Sequence, residues 1–143
     1  MTEPQVPSQE SVLLIDDDEM VAGSLRERLV RDGRQVDVAL DLPTSIGLMD
    51  ERKYRVIVVD PYLTTRVPGD GSLLKIIREL QPDAAMIVLT AYGSPALTVS
   101  AEHANVAALL AKPQSVVFLS DFVGDACRNG TPSVSSSSKG QSE

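Results

Sequence analysis

Tryptophan is absent from this chain of 143 residues, and cysteine and histidine occur once each, as Cys127 and His103. One thiol can close no internal disulfide and build no cysteine-based metal cage, which suits a reducing compartment. One imidazole excludes multi-histidine metal sites. Long apolar runs are also missing, and none approaches the roughly 20 residues that span a bilayer as a helix. The opening residues, MTEPQVPSQE, lack the basic start and apolar stretch of an export signal. Secretion and membrane insertion are disfavoured, and a cytoplasmic location is expected. Basic residues are scarce too: 13 Lys and Arg stand against 20 Asp and Glu, a formal charge of −7. A nucleic-acid groove needs clustered Lys and Arg, so no nucleic-acid contact is expected. What remains for chemistry is mostly carboxylate.

The length fits one domain with a modest core, and 43% hydrophobic with 23% charged residues is a globular composition. Residues 1–10 read as a flexible leader. From Asn129 onward, NGTPSVSSSSKGQSE is Ser-rich without apolar periodicity, and is expected to be a disordered tail or linker. The body is 11–128. It alternates two patterns. Val12–Ile15, Val36–Ala39, Val56–Val59, Met86–Leu89 and Ala107–Leu110 are short apolar runs, of which the Ala/Leu-rich last is equally consistent with helix. Continuous runs suit strands buried on both faces of a parallel sheet. Between them lie helix-spaced segments: Met20–Asp32 stopped by Gly33, Thr44–Glu51, Ser72–Leu80, Pro95 to about His103, and Val116–Cys127. Five strands alternating with five helices predict an α/β, doubly wound parallel sheet with right-handed crossovers.

Ligands of such sheets gather beyond the carboxyl ends of the strands, and the unusual residues fall there. Asp16, Asp17 and Asp18 follow the first strand, Asp60 ends the third, Thr90 ends the fourth, and Lys112 follows the fifth. Converging carboxylates repel unless a hard cation joins them, and an oxygen site with few ligands suits Mg²⁺, which also accepts phosphate oxygens. A lone Lys is a point charge for a phosphoryl oxygen, a Thr hydroxyl can donate to another, and a carboxylate can itself be phosphorylated.

The set Asp16/Asp17, Asp60, Thr90 and Lys112-Pro113, in LLIDDDE, VIVVDPYL, VLTAYGS and LLAKP, resembles the receiver domain of bacterial two-component response regulators, the CheY-like family. The likeness covers Ser11 to about Asn129. It implies a flavodoxin-like (βα)5 fold with strand order 2-1-3-4-5. It further implies that Asp60 accepts a phosphoryl group from the phosphohistidine of a sensor histidine kinase or a phosphotransfer protein. Asp16, Asp17, Asp60 and the Tyr62 backbone carbonyl would hold Mg²⁺. Thr90 would bind a phosphoryl oxygen and swing inward, and Lys112, before a cis peptide to Pro113, would pair with the phosphoryl group or Asp60. The chain would be no enzyme beyond its own phosphorylation and dephosphorylation. Output would pass to a downstream protein or a second copy through the face of the fourth helix, fifth strand and fifth helix.

Several features depart from that pattern. Leu109 stands where an aromatic switch residue is usual, three positions before the Lys. The loop PYLTTRVPGDG is about three residues longer before Asp70-Gly71 than is usual, and Pro61 directly follows the acceptor. The two positions that tune phosphoryl lifetime are both tyrosine, Tyr62 and Tyr92, which are expected to crowd the attacking water and prolong the loaded state. On the last helix, Phe118 and Phe122 form one edge of a broad apolar face, either deeply packed or partner-facing. Taken without its neighbours, the Asp16–Asp17 pair could also be a solvated loop capping the helix from Met20. Cys127 is expected to be a small buried hydrophobe and His103 a surface or helix-end residue. The competing function is a pseudo-receiver, a docking module of the same fold that is never phosphorylated. A hydrolase with a strand-end Asp nucleophile is disfavoured by the lack of room for a cap. With no output domain after Asn129, the chain reads as a stand-alone receiver or a piece of a longer regulator.

Overall fold

A computed structural model describes residues 10–63 and 72–129. The predicted leader before Glu10, the Asp70-Gly71 pair with most of its long loop, and the predicted tail beyond 129 lie outside the described residues. Ten elements alternate: β1 Ser11–Ile15, α1 Glu19–Arg31, β2 Gln35–Ala39, α2 Leu42–Glu51, β3 Val56–Val59, α3 Ser72–Leu80, β4 Ala85–Thr90, α4 Pro95–His103, β5 Ala108–Ala111 and α5 Val116–Asn129. All strand pairings are parallel, in the order β2-β1-β3-β4-β5. The doubly wound expectation and its strand order are both met, and β5 is a strand.

Position in the sheet explains the two kinds of strand sequence. The central strands β1, β3 and β4 are buried at every residue, so their sequences are apolar except for Ser11 at the start of β1 and Thr90 at the end of β4. The edge strands β2 and β5 are only half covered, which is why Asp37 is tolerated in one and exposed Leu109 in the other. Alternate residues feed two cores. Leu13, Ile15, Ile57, Val59, Met86 and Val88 pack with Met49, Leu73, Ile77 and Leu97 of α2, α3 and α4. Val12, Leu14, Val58, Ile87 and Leu89 pack with Leu25 and Leu29 of α1 and Leu119 and Val123 of α5.

Local chemistry sets the helix ends. The Asp18 carboxylate accepts the Met20 and Val21 N–H groups and caps α1, while Gly33, at φ +94°, turns the chain out of it. Helix α2 begins two residues earlier than its spacing suggests, because Asp41 caps it and Pro43 is accommodated in the first turn, where its missing N–H costs nothing. Helix α5 takes in Asn129, a residue assigned to the tail by composition.

A buried amide ties this frame together behind the sheet. Gln81, 2% exposed, accepts the Tyr54 N–H at 2.9 Å and donates to the carbonyls of Met49 at 2.9 Å and Arg52 at 2.8 Å. Gln81→Ala strands these backbone groups without partners, and about 2–4 kcal/mol of unfolding free energy should be lost. Urea unfolding checks this, and a loss below ~1 kcal/mol would mean that water replaces the amide without penalty.

Candidate functional site

Parallel pairing brings the carboxyl ends of all strands to one edge of the sheet, and the functional side chains stand just past them. The backbone continues each ladder for one step: Asp16 N–H donates to the Ala39 carbonyl, Asp60 N–H to Ile15, and Lys112 N–H to Thr90. Asp16 and Asp60 are therefore anchored by main chain on neighbouring strands, 6% and 8% exposed, and Thr90 is buried at the end of β4. The three then share one local device, in which the side chain accepts the N–H two residues on. Asp18 N–H donates to Asp16 Oδ1 at 2.9 Å, Tyr62 N–H to Asp60 Oδ1 at 2.9 Å, and Tyr92 N–H to Thr90 Oγ1 at 3.2 Å. Asx and Ser/Thr turns of this kind end a strand while fixing the side-chain rotamer. Pro61, buried between Asp60 and Tyr62, presets φ in the middle of one of them.

Lys112 binds the carboxylates together. Its ammonium lies 2.8 Å from Asp16 Oδ2 and 3.0 Å from Asp60 Oδ2, and the Lys112–Pro113 bond is cis. Burial works against the charge on Lys112, but the hydrogen bonds and charges of Asp16 and Asp60 prevail and raise its pKa. For Asp16 burial dominates and raises the carboxyl pKa, although Lys112 and the Asp18 N–H both act to lower it. Asp16 thus stays under-compensated with Lys112 in place. Asp17 beside it is exposed.

This donor set fits a hard divalent cation. Three carboxylates, Asp16, Asp17 and Asp60, against one ammonium leave two negative charges uncompensated. Such oxygens suit Mg²⁺ far better than zinc or another soft metal. Among the described residues no three acidic, His or Cys side chains already form a closed cage, and Lys112 stands between two of the carboxylates.

The remaining sequence candidates sort by position. The rings of Tyr62 and Tyr92 meet edge to face, centroids 5.6 Å apart at 74°. Leu109 lies on the edge strand β5, partly exposed. On α5 the core takes Leu119, Val123, Ala126 and Cys127; Phe118 is 42% exposed, and Phe122, half-buried, contacts its ring. Cys127 is buried and His103 exposed in the last turn of α4, as expected. Composition left Asp18 without a role, yet it is the α1 cap; an Asp just before an apolar-periodic segment was the available signal. That leaves Asp16 and Asp17 out of the capping.

The family model described as "Response regulator receiver domain" matches residues 12–123. The photosynthetic apparatus regulatory protein RegA of Rhodobacter capsulatus is 30% identical over 110 residues, 76% of this chain and 58% of RegA. The acid tolerance regulatory protein ActR of Sinorhizobium medicae is 33% identical over 106 residues, 72% of this chain and 52% of ActR. This chain therefore spans little more than half the length of these relatives. Among solved structures, a Burkholderia pseudomallei response regulator crystallised with a phosphorylated aspartic acid, a calcium ion and citrate shares 36% identity. It aligns with a TM-score of 0.69, over 77% of this chain and 64% of its own. The beryllofluoride-activated NtrC4 receiver domain dimer shares 29% identity at a TM-score of 0.72, over 83% of this chain and 97% of its own.

Proposed function

The chain belongs to the response regulator receiver domain family, and from that premise we propose that Asp60 accepts a phosphoryl group in a Mg²⁺-dependent reaction and thereby switches a protein-interaction surface. Receiver domains are signalling domains of two-component systems and bind Mg²⁺ as a class. The observation that carries the reading is the buried Asp60 carboxylate, held at once by the Tyr62 N–H and the Lys112 ammonium.

An Asp60 carboxylate oxygen attacks the phosphorus of a phosphohistidine on a sensor kinase or phosphotransfer protein. The new P–O bond replaces the P–N bond, whose electron pair stays on the leaving imidazole. Lys112, already facing Asp60, stabilises the charge on the phosphoryl oxygens, and the Thr90 hydroxyl donates to one of them. Asp16, Asp17, Asp60 and the Tyr62 carbonyl would hold Mg²⁺, which would supply charge neutralisation when bound. The added negative charge biases a two-state domain. Output passes to a downstream protein or a second copy through the α4–β5–α5 face, where Val99, Leu109, Val117 and Phe118 are exposed. Among the described residues no helix is long and apolar enough to cross a membrane.

Incubation with acetyl phosphate and Mg²⁺ should give one hydroxylamine-sensitive phosphoryl adduct per chain, and EDTA should prevent it. No adduct under any Mg²⁺ concentration would leave the non-phosphorylated docking module as the better reading. Once loaded, Tyr62→Asn and Tyr92→Ala should both shorten the adduct's lifetime by admitting water; unchanged decay would remove the crowding role from the two rings.

A further inference from the structure

We propose that Tyr62 and Tyr92 are paired positioning residues that lock the Asp60 turn and the Thr90 turn into one resting arrangement, so that Thr90 cannot turn toward Asp60 without releasing the contact between the two rings. Each tyrosine reaches the site through its main chain: the Tyr62 N–H holds Asp60 Oδ1 and the Tyr92 N–H holds Thr90 Oγ1. Each ring then meets the other, edge to face, and closes a loop of contacts from Asp60 through both tyrosines to Thr90. The two sides are unequally anchored. Tyr62 packs against the core and is followed by the fully buried Leu63, whereas Tyr92 is 67% exposed and is followed by Gly93 before the Ser94 cap of α4. The Tyr62 side is the fixed jaw and the Tyr92 side the moving one.

Any rotation that turns the Thr90 hydroxyl toward a group on Asp60 strains or breaks the Tyr92 N–H bond and carries the Tyr92 ring with it. An edge-to-face aromatic pair is worth enough to bias such a movement about 2- to 10-fold. The contact exists in the arrangement where Lys112 engages Asp60, so it favours the resting state.

This inference rests on the phosphoryl-acceptor reading only for its consequence in loading, and two measurements keep them separate. The first is native-state hydrogen exchange of the Tyr62 amide, which needs no phosphoryl group. Tyr92→Ala, on the other loop, should speed exchange there about 2- to 10-fold, while Tyr92→Phe leaves it as in the wild type. Unchanged exchange in Tyr92→Ala would overturn the lock. The second is beryllofluoride affinity in Mg²⁺, followed by ¹⁹F NMR. Tyr62→Ala and Tyr92→Ala should each tighten binding about 2- to 10-fold, and the double variant should gain no more than the better single one. Multiplicative gains, or none, would mean that the rings act independently. A wild type that takes up no beryllofluoride, with the exchange coupling intact, would remove the acceptor reading and leave the lock standing.

Discussion

Asp60→Asn is expected to abolish the Mg²⁺-dependent phosphoryl adduct while leaving the fold intact. The substitution is nearly isosteric, and the amide oxygen can still accept the Tyr62 N–H that fixes the rotamer. Two things are lost. An amide has no nucleophilic oxygen able to form a stable acyl phosphate. It also removes one negative charge from a site where the Lys112 ammonium lies 3.0 Å from Asp60 and 2.8 Å from Asp16. Lys112 keeps Asp16 as a partner, so stability should change little, and thermal unfolding should show one cooperative transition near that of the wild type. Intact-mass measurement after acetyl phosphate treatment reads the chemistry. Persistence of the adduct at wild-type stoichiometry would assign the acceptor to another carboxylate, with Asp16 the first to examine.

Lys112→Ala should show the second large effect, in rate and stability together. Removing a preorganised cation from developing phosphoryl charge costs about 10²- to 10³-fold in rate, and a loss of that order is expected in acetyl phosphate labelling. Stability falls because two carboxylates, each with a side chain 10% exposed or less, lose the cation between them. Breaking a buried ion pair by removing one partner costs about 3–5 kcal/mol. The loss depends on pH, and its sign follows from Asp16. Its pKa already lies above the ordinary 3.8, chiefly through burial. Without the Lys112 hydrogen bond and charge it rises further. A group with a raised folded pKa contributes stability that is present below its unfolded value and lost as pH rises through the folded one. The variant should therefore approach wild-type stability near pH 3 and fall progressively behind toward pH 7. Lys112 itself, raised above 10.5, keeps its stabilising charge in the wild type throughout that window. Millimolar Mg²⁺ should restore part of the deficit at neutral pH, since a divalent cation supplies the missing charge. A deficit independent of pH would mean that lost packing, not electrostatics, is responsible.

Much of the architecture was legible because each sheet position imposes its own pattern. Burial on both faces gave β1, β3 and β4 uninterrupted apolar runs, and the residues where those runs stop are Asp16, Asp60 and Thr90. Periodicity located all five helices and the bounds of α4, but placed the start of α2 two residues late, because Asp41 caps it from a position that carries no apolar signal. Polar residues that act singly were illegible. Gln81 carries no pattern that distinguishes it from a surface glutamine, and its burial follows only from three backbone groups converging on it. Arg78 likewise donates to the carbonyls of Gln81, Pro82, Ala84, Ala104 and Asn105, tying the start of β4 to the end of α4. At the site, the residue types singled out Asp16, Asp60 and Lys112, which the fold brings together, but gave no sign that Lys112 bridges Asp16 as well as Asp60, nor that the two tyrosine rings touch. Those facts depend on side-chain reach across strands far apart in the chain.

The tyrosine pair gives the molecule an optical property of its own. With no tryptophan to absorb their excitation, the three tyrosines supply all of the indole-free near-ultraviolet emission. Tyr54 is buried, and its hydroxyl donates to Asp37 Oδ2 at 2.6 Å, an arrangement in which excited-state proton transfer quenches a phenol. The light that escapes should come mainly from Tyr62 and Tyr92, whose N–H groups hold Asp60 and Thr90, so the unlabelled protein should report through its own fluorescence on whatever moves there.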